Sequence, residues 1–170
     1  MATATINIGA NPEIEGTLKF VSDTDIGPKM EMTLTKVQFG PAAAINLIGD
    51  EYGIIELEGR VLLVDGNFGT VTHPDDALAS PTVSAYYVGT GIVSWQGAGD
   101  TTFAELGNCN QFEFEQTVER LDHMQRMAGI RSLDFSPIVQ QSAIVRLQLD
   151  EWTVPNLRMY FLDVAPVVTP

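Results

Sequence analysis

The sequence predicts a single, mainly β domain with one short α-helix near its C-terminal end. Apolar and polar residues alternate over much of the chain, as they do on half-buried strands. Glycines and prolines separate these segments, and the period changes to that of a helix only after Trp152. With 170 residues and 45% hydrophobic content the chain can bury a core, so we expect one domain over residues 1–170.

The first half of the chain begins with a weakly alternating segment, residues 1–12, that predicts an N-terminal arm or an edge strand. Firmer alternation then predicts two strands, one around Leu18 and one over residues 30–39. Within the second strand the apolar residues change parity. This change predicts a bulge near Thr35 and Lys36.

The middle of the chain contains a clear strand pattern followed by two turn-forming segments. Ile55 and Leu57 share one face of this strand, with glutamates on the other. Residues 65–67, Asp-Gly-Asn, have the composition of a tight turn. Residues 74–84 contain prolines and aspartates, so we expect a connecting loop there. Two short strands are predicted between residues 83 and 103.

A long hairpin dominates the second half. Its first arm alternates between one apolar and one acidic face. The apolar face carries Phe112, Phe114 and Val118, and the acidic face carries Glu113, Glu115 and Glu119. The returning arm has the apolar residues Ala143, Val145, Leu147 and Leu149 on one face. The connection, residues 127–134, is longer than a tight turn and contains Gly129, so we expect an exposed, adaptable loop.

A helix of roughly two to three turns is predicted after this hairpin. Thr153 has the chemistry of an N-cap, and Pro155 fits the first turn because no amide donor is needed there. Leu157, Phe161 and Leu162 form an apolar stripe that we expect to pack on the sheet.

The charge and cysteine content exclude several classes of function. A formal net charge of −13 disfavours a surface that grips nucleic-acid phosphates or anionic lipids. No apolar run approaches the length of a membrane helix, and no N-terminal signal pattern is present, so we expect a soluble product made in the cytoplasm. Cys109 is the only cysteine, which excludes an internal disulfide and a cysteine metal site.

Catalytic and metal-binding patterns are also missing from the sequence. The two histidines, His73 and His123, have no second strong ligand at metal-binding spacing. The aspartates near residue 65 lack the glycine and the bidentate glutamate of a calcium loop. No nucleophile, base and acid converge, so we expect neither an enzyme nor a cofactor.

Several segments together resemble the tail tube (major tail) proteins of long-tailed bacteriophages. In the second half they are LGNCNQFEFEQTVERLDH (106–123), GIRSLD (129–134) and LQLDEWTVPNL (147–157). In the first half they are EGTLKF (15–20), KVQFGP (36–41), LIGDEY (47–52) and ELEGRVL (56–62). The order differs from the one expected in that family, since the segment 15–72 here precedes the segment 88–162. The chain therefore looks circularly permuted, with residues 75–84 as the new connection.

The resemblance implies a β-sandwich subunit that forms hexameric rings, which stack into a tube with a β-barrel lumen. DNA would leave the virion through this lumen without specific binding. The implied partners are further copies of the chain and other tail proteins, namely length-determining, terminator and distal tail proteins. The implied location is the virion tail, assembled in the host cytoplasm, with no membrane and no cofactor.

The same resemblance gives the acidic face of the hairpin a function. If this face lines the lumen, Glu113, Glu115 and Glu119 would repel the phosphate backbone of DNA. Carboxylates about 7 Å apart lie within a Debye length of roughly 8 Å, so their fields add. Arg120 and Arg146 would partly offset this field or pair across subunits. A solvated outer face predicts the same alternation, so both interpretations remain open.

Contacts between subunits are expected from the hairpin loop and from the N-terminal arm. The candidate residues are Met127, Gly129, Ile130, Arg131 and Asp134 in the loop, and Ile6 and Ile8 in the arm. A mobile hairpin tip and a frayed terminus fit the same sequence.

Other functions are compatible with a β-rich chain. A different ring-forming tail or connector component, or the tube of a secretion system, is the nearest alternative. A monomeric carbohydrate-binding module would use the aromatic residues Tyr86, Tyr87, Trp95 and Trp152. An enzyme has the least support. The oligomeric state separates a monomeric binding module from a tube protein.

Overall fold

The computed structural model describes residues 4–23, 29–48, 52–73, 89–125, 129 and 131–163. These residues form the strands β1 (Ile14–Ser22), β2 (Glu31–Pro41), β3 (Ile55–Val61), β4 (Gly69–Thr72), β5 (Gly91–Gly97), β6 (Ala104–Glu105), β7 (Cys109–Arg120), β8 (His123–Gln125), β9 (Ser132–Phe135) and β10 (Ile138–Leu149), and the helix α1 (Val154–Phe161). The mainly β class with one short helix near the C-terminal end is confirmed. The expected connecting loop 74–84 and the strand around Tyr86 lie outside the described residues.

The strands form one open sheet of eight members and a separate pair. The order in the large sheet is β6-β5-β1-β2-β3-β10-β7, and β4 pairs with β2 beside β3. The predicted long hairpin is present, because β7 and β10 pair antiparallel from Arg120 with Ile138 to Cys109 with Leu149. The strands β8 and β9 extend this hairpin as a small sheet of their own.

One face of the large sheet carries the core. Every second residue of β1 is buried, and β3 and the second half of β10 show the same alternation. The core-facing residues of β10 are those expected, namely Ala143, Val145, Leu147 and Leu149. The alternating pattern in the sequence thus identified the core side of these strands.

The sheet curls so strongly that its last strand, β7, faces β1 across the core. Phe20 lies on β1 and Phe112 on β7, four positions away in the strand order. In a flat sheet these strands would be about 19 Å apart. Their rings are instead stacked with centroids separated by 5.0 Å. The apolar side of β7 therefore closes the core from the opposite end of the sheet.

The predicted bulge near Thr35 and Lys36 is confirmed. Gly16 pairs with Val37, but Leu18 pairs with Leu34, so two residues of β2 lie opposite the single residue between Gly16 and Leu18. The extra residue restores the correct phase. Leu34 and Val37 consequently both point into the core although their positions differ in parity.

The helix begins where the N-cap chemistry of the sequence predicts. The Thr153 side chain accepts a hydrogen bond from the Asn156 amide, Pro155 occupies the first turn, and Leu162 adopts a left-handed C-cap conformation. The predicted apolar stripe is only partly correct. Leu157, Phe161 and Leu162 are half-buried, whereas the most buried helix residues are Asn156, Met159 and Tyr160.

Asn156 anchors the helix to the body of the protein. Its amide group donates hydrogen bonds to the carbonyl oxygens of Leu106 and Glu151, both at 2.9 Å, and the residue is fully buried. Asn156→Ala should lower the free energy of unfolding by about 1–3 kcal/mol, because two carbonyls lose their donor. Urea denaturation measures this, with the exposed Asn46→Ala as control. An equal, small effect for both variants would contradict the anchoring role.

The edge-strand alternative for the N-terminal segment and part of the expected hairpin loop need correction. The N-terminal segment contains no strand within its described residues 4–12; instead, the Gly9 and Asn11 amides donate to the carbonyls of Phe161 and Leu162. The expected loop 127–134 is wrong in its second part, since Ser132–Phe135 is strand β9. Leu133 and Phe135 alternate with Asp134, as the residues of a strand do. The strand β9 that contains them pairs with β8 and so extends the hairpin.

Candidate functional site

The outward-facing residues of β3, β10 and β7 form one continuous surface, which we call the polar face. It contains Glu56, Glu58 and Arg60 of β3, Arg146 and Gln148 of β10, and Gln111, Glu113, Glu115 and Glu119 of β7. The polar face contains five glutamates and two arginines, so it carries an excess of negative charge. The acidic row expected from the sequence is therefore one edge of a larger acidic surface.

Arg146 organises the centre of the polar face. Its Nε donates to Glu58 at 2.9 Å and its terminal nitrogen donates to Glu115 at 3.0 Å. The hydrogen bond to Glu115, followed by that to Glu58, raises the pKa of Arg146 above its usual value. Arg146 thus pairs within its own chain and offsets the charge of Glu115 in particular.

The three candidate lumen glutamates differ in their electrostatic environment. Glu115 is paired with Arg146. Glu113 accepts a hydrogen bond from the Gln111 amide at 2.6 Å, and neither Glu113 nor Glu119 has a salt bridge within the described part of the chain. The uncompensated charge of the row consequently resides on Glu113 and Glu119.

The strand β7 forms an edge of the large sheet. It pairs with β10 on one side, and no described residue pairs with it on the other. The backbone N–H and C=O groups of every second residue along this twelve-residue strand therefore face outward on that side. Edges this long attract strands from other chains, and soluble monomers normally shorten or cover them.

The far half of the hairpin extends beyond the core. Both faces of β7 are exposed from Gln116 to Arg120, so Val118, expected to face the core, is 40% exposed. The extension carries seven exposed apolar residues, here together called the apolar tip: Val118, Leu121, Met124, Leu133, Phe135, Ile138 and Val139. Phe135 alone is 64% exposed. Such a concentration of exposed apolar residues on one hairpin extension indicates a contact surface.

The predicted contact residues are distributed unevenly over these surfaces. Gly129 and Arg131 are exposed at the end of the hairpin, and Asp134 lies in β9, where it pairs with His123 at 2.6 Å. Ile8 is 78% exposed, while Ile6 is half-buried. Met127 and Ile130 lie outside the described residues. The sequence interpretation omitted the apolar tip, although Leu133 and Phe135 gave a short alternating signal for it.

The aromatic residues proposed for carbohydrate binding do not form a platform among the described residues. Trp95 is only 8% exposed and contacts Phe39 edge-on in the core. Trp152 is half-exposed, and its indole N–H donates to the Gly53 carbonyl at 2.7 Å. Tyr86 and Tyr87 lie outside the described residues. A sugar-stacking surface is therefore not supported by the two tryptophans.

The described residues contain neither a metal-binding cluster nor a membrane-spanning helix. In the described ranges, no group of three or more His, Cys, Asp and Glu residues is arranged to hold a metal ion. No described helix is long and apolar enough to cross a membrane. Comparison with models of protein families, with curated proteins and with solved structures finds no match to this chain.

Proposed function

We propose that this chain is a structural subunit of the tail tube of a long-tailed bacteriophage. In this proposal, copies form hexameric rings, and the rings stack around a lumen through which DNA passes. The observation that carries the proposal is the outer edge of β7, which no described residue pairs with and which continues directly into the exposed apolar tip. A protein that functions as a monomer would normally cover both a long strand edge and a group of apolar residues such as the apolar tip.

The curled sheet suits a ring-forming sandwich subunit. Its last strand, β7, already faces β1 across the core, and its polar face lies on the outside of that core. If the β7 edge of each copy pairs with the sheet of its neighbour, the polar faces join into a closed barrel. Closure of the ring then removes the exposed edges.

The polar face has the charge that a DNA conduit needs. Its excess of glutamates would face the phosphates, and in a narrow channel these charges lie within a Debye length of the DNA, roughly 8 Å at physiological salt. Repulsion keeps DNA from adsorbing to the lumen.

Terminator, distal tail and length-determining proteins would contact the ends of the stack and set its length.

Self-assembly is the direct test of this function. We expect the purified protein, imaged by negative stain at rising concentration with parallel light scattering, to form rings with a central hole and stacks of rings. Assembly should increase with concentration because each contact is between identical chains. A monodisperse monomer at every concentration, also in the presence of isolated tail tips, would contradict the proposal.

A further inference from the structure

The two short strands β8 and β9, here together called the flap, are joined to the long hairpin by an irregular junction. The flap forms a sheet of its own, and none of its described residues pairs with the large sheet. The register shifts on both sides of the junction, between Ile138 and Gln140 and between His123 and Met124. Irregularities of this kind bend a strand and interrupt its pairing. The flap is therefore a separate unit at the end of the hairpin.

The junction is held by hydrogen bonds rather than by a packed core. The Leu121 amide donates to the Pro137 carbonyl at 3.0 Å, the Ser136 hydroxyl donates to Asp122 at 2.6 Å, and Arg120 donates to the Ser136 carbonyl at 3.3 Å. Pro137 has no amide N–H, so it cannot donate to the ladder. Exposed polar contacts exchange with water at little cost. The junction can therefore act as a hinge.

In its extended position the flap leaves apolar side chains in water. Met124 is 40% exposed, Leu133 53% and Phe135 64%. Removal of apolar surface from water is the main favourable term in folding and association. A position of the flap that covers these side chains is thus favoured in a chain that has no neighbour.

A groove with an apolar floor lies beside the base of the hairpin extension, between β4 and the inner face of β7 and β10. Its volume is about 270 Å³, and its lining includes Met32, Phe68, Val71, Phe114, Gln116 and Gln141. Val71 is 57% exposed there. The strand β4 borders the groove, and no described residue pairs with the outer edge of that strand. The groove therefore offers both apolar surface and free backbone groups.

The length of the chain on either side of the hinge brings the flap to this groove. Leu133 lies four residues before Pro137 and Gln141 lies four residues after it, so both are roughly 13 Å from the hinge. A flap folded back on the inner face of the hairpin therefore places Leu133 beside Gln141. In the extended position these two residues are roughly 25 Å apart, because eight residues of strand and junction separate them.

We propose that the flap is a hinged cover, which folds back in the unassembled chain and packs Leu133 and Phe135 into the groove. The structure shows the flap in its extended position, in which these side chains are available to another chain. The folded-back position withdraws them and so delays association. Closure is a property of the single chain, whereas its role in delaying assembly rests on the proposed function.

Disulfide trapping measures the folded-back position. Leu133→Cys and Gln141→Cys are introduced together in a Cys109→Ala background, and the dilute monomer is oxidised and analysed by mass spectrometry. We expect an intramolecular disulfide, because its formation needs Cα atoms within about 7 Å and only the folded-back flap brings these positions so close. Folded monomers that stay reduced, or that form only intermolecular disulfides, would overturn the proposal.

Two further cysteine pairs serve as controls. Leu133→Cys with Gln148→Cys makes the same chemical changes, but Gln148 lies near the far end of β10 on the polar face, so its disulfide should form at least ~10-fold more slowly. Asp122→Cys with Ser136→Cys joins two side chains that already touch and shows that the oxidation works. Equal rates for the Gln141 and Gln148 pairs would overturn docking in the groove.

The unsubstituted protein provides a second measurement. In a dilute NMR sample, nuclear Overhauser effects between the Phe135 ring and the side chains of Met32 or Phe114 should report the folded-back flap, because these effects connect only protons that are close in space. If such effects were absent while those between β8 and β9 were present, the flap would not dock in the groove.

The trapped chain also tests the role of the flap in assembly. With the disulfide between positions 133 and 141 formed, association should need at least ~10-fold more protein than after reduction, because the competent form is no longer populated. Linked chains that associate as well as reduced ones would overturn this role and leave the folded-back position supported. A wild-type protein that never assembles would contradict the proposed function, whereas the intramolecular disulfide would still support the flap.

Discussion

Leu57→Ala is expected to lower the free energy of unfolding by about 2–5 kcal/mol, a large part of the roughly 5–15 kcal/mol that stabilises a typical domain. Leu57 is fully buried at the centre of the sheet, where it pairs with Leu147 of β10 and Pro41 of β2. Removing its side chain leaves a cavity between three strands. Glu56 and Glu58 flank Leu57 in β3. A shift of this strand should therefore also displace these two glutamates of the polar face.

Urea denaturation, followed by tryptophan fluorescence, measures this loss. Leu63→Ala makes the same chemical change just after β3 at a residue that is 49% exposed, and it should alter the free energy of unfolding by less than about 0.5 kcal/mol. Because both variants make the same chemical change, the difference between their free energies of unfolding measures the effect of burial. Equal effects for the two leucines would show that Leu57 does not lie in the core.

The sequence predicts well those features that depend on neighbouring residues. Alternation in Ala143 to Leu149 identified the buried side of β10, the change of parity near Thr35 identified the bulge, and Thr153 identified the start of the helix. Each signal lies within about ten residues, where backbone geometry fixes which side chains share a face. The core and the hairpin followed from such signals.

The arrangement of the strands could not be predicted in this way. Arg146 pairs with Glu58, which is 88 positions away in the chain, because β3 lies beside β10. No periodicity encodes that neighbour, so the sequence could not show that Glu115 has a salt bridge while Glu119 has none to any described residue. The curl that brings Phe20 onto Phe112 arises from accumulated strand twist and is likewise non-local.

The prediction of the buried side of the helix and the prediction of the hairpin tip were inaccurate for different physical reasons. Asn156 is polar, so a hydrophobic pattern cannot mark it as buried, and its burial depends on carbonyls such as that of Leu106. The alternation of Leu133 with Phe135 is too short to outweigh the glycine and the length of the connection. Short strands of this kind become visible only through the partner that they pair with, here β8.

Reversing the charge of Glu113 and Glu119 is expected to change the lumen from repelling DNA to binding it. These two glutamates lack a salt-bridge partner among the described residues, whereas Glu115 already pairs with Arg146. Glu113→Lys with Glu119→Lys therefore adds positive charge without breaking an ion pair. Assembled rings should bind short double-stranded DNA at least ~10-fold more tightly than wild-type rings, through contacts with phosphates.

The dependence on assembly and on salt identifies the lumen as the binding place. The gain should disappear at high salt, since each phosphate contact releases counterions, and it should be far smaller for the unassembled protein, in which the lysines of different copies are not brought together. Glu105→Lys, at the opposite edge of the sheet, changes one charge in the same direction and serves as the control. If the control and the double variant bound DNA equally well, bulk charge would explain the gain. If only the assembled double variant bound DNA, binding would depend on bringing the substituted residues of several copies together, as the lumen assignment expects.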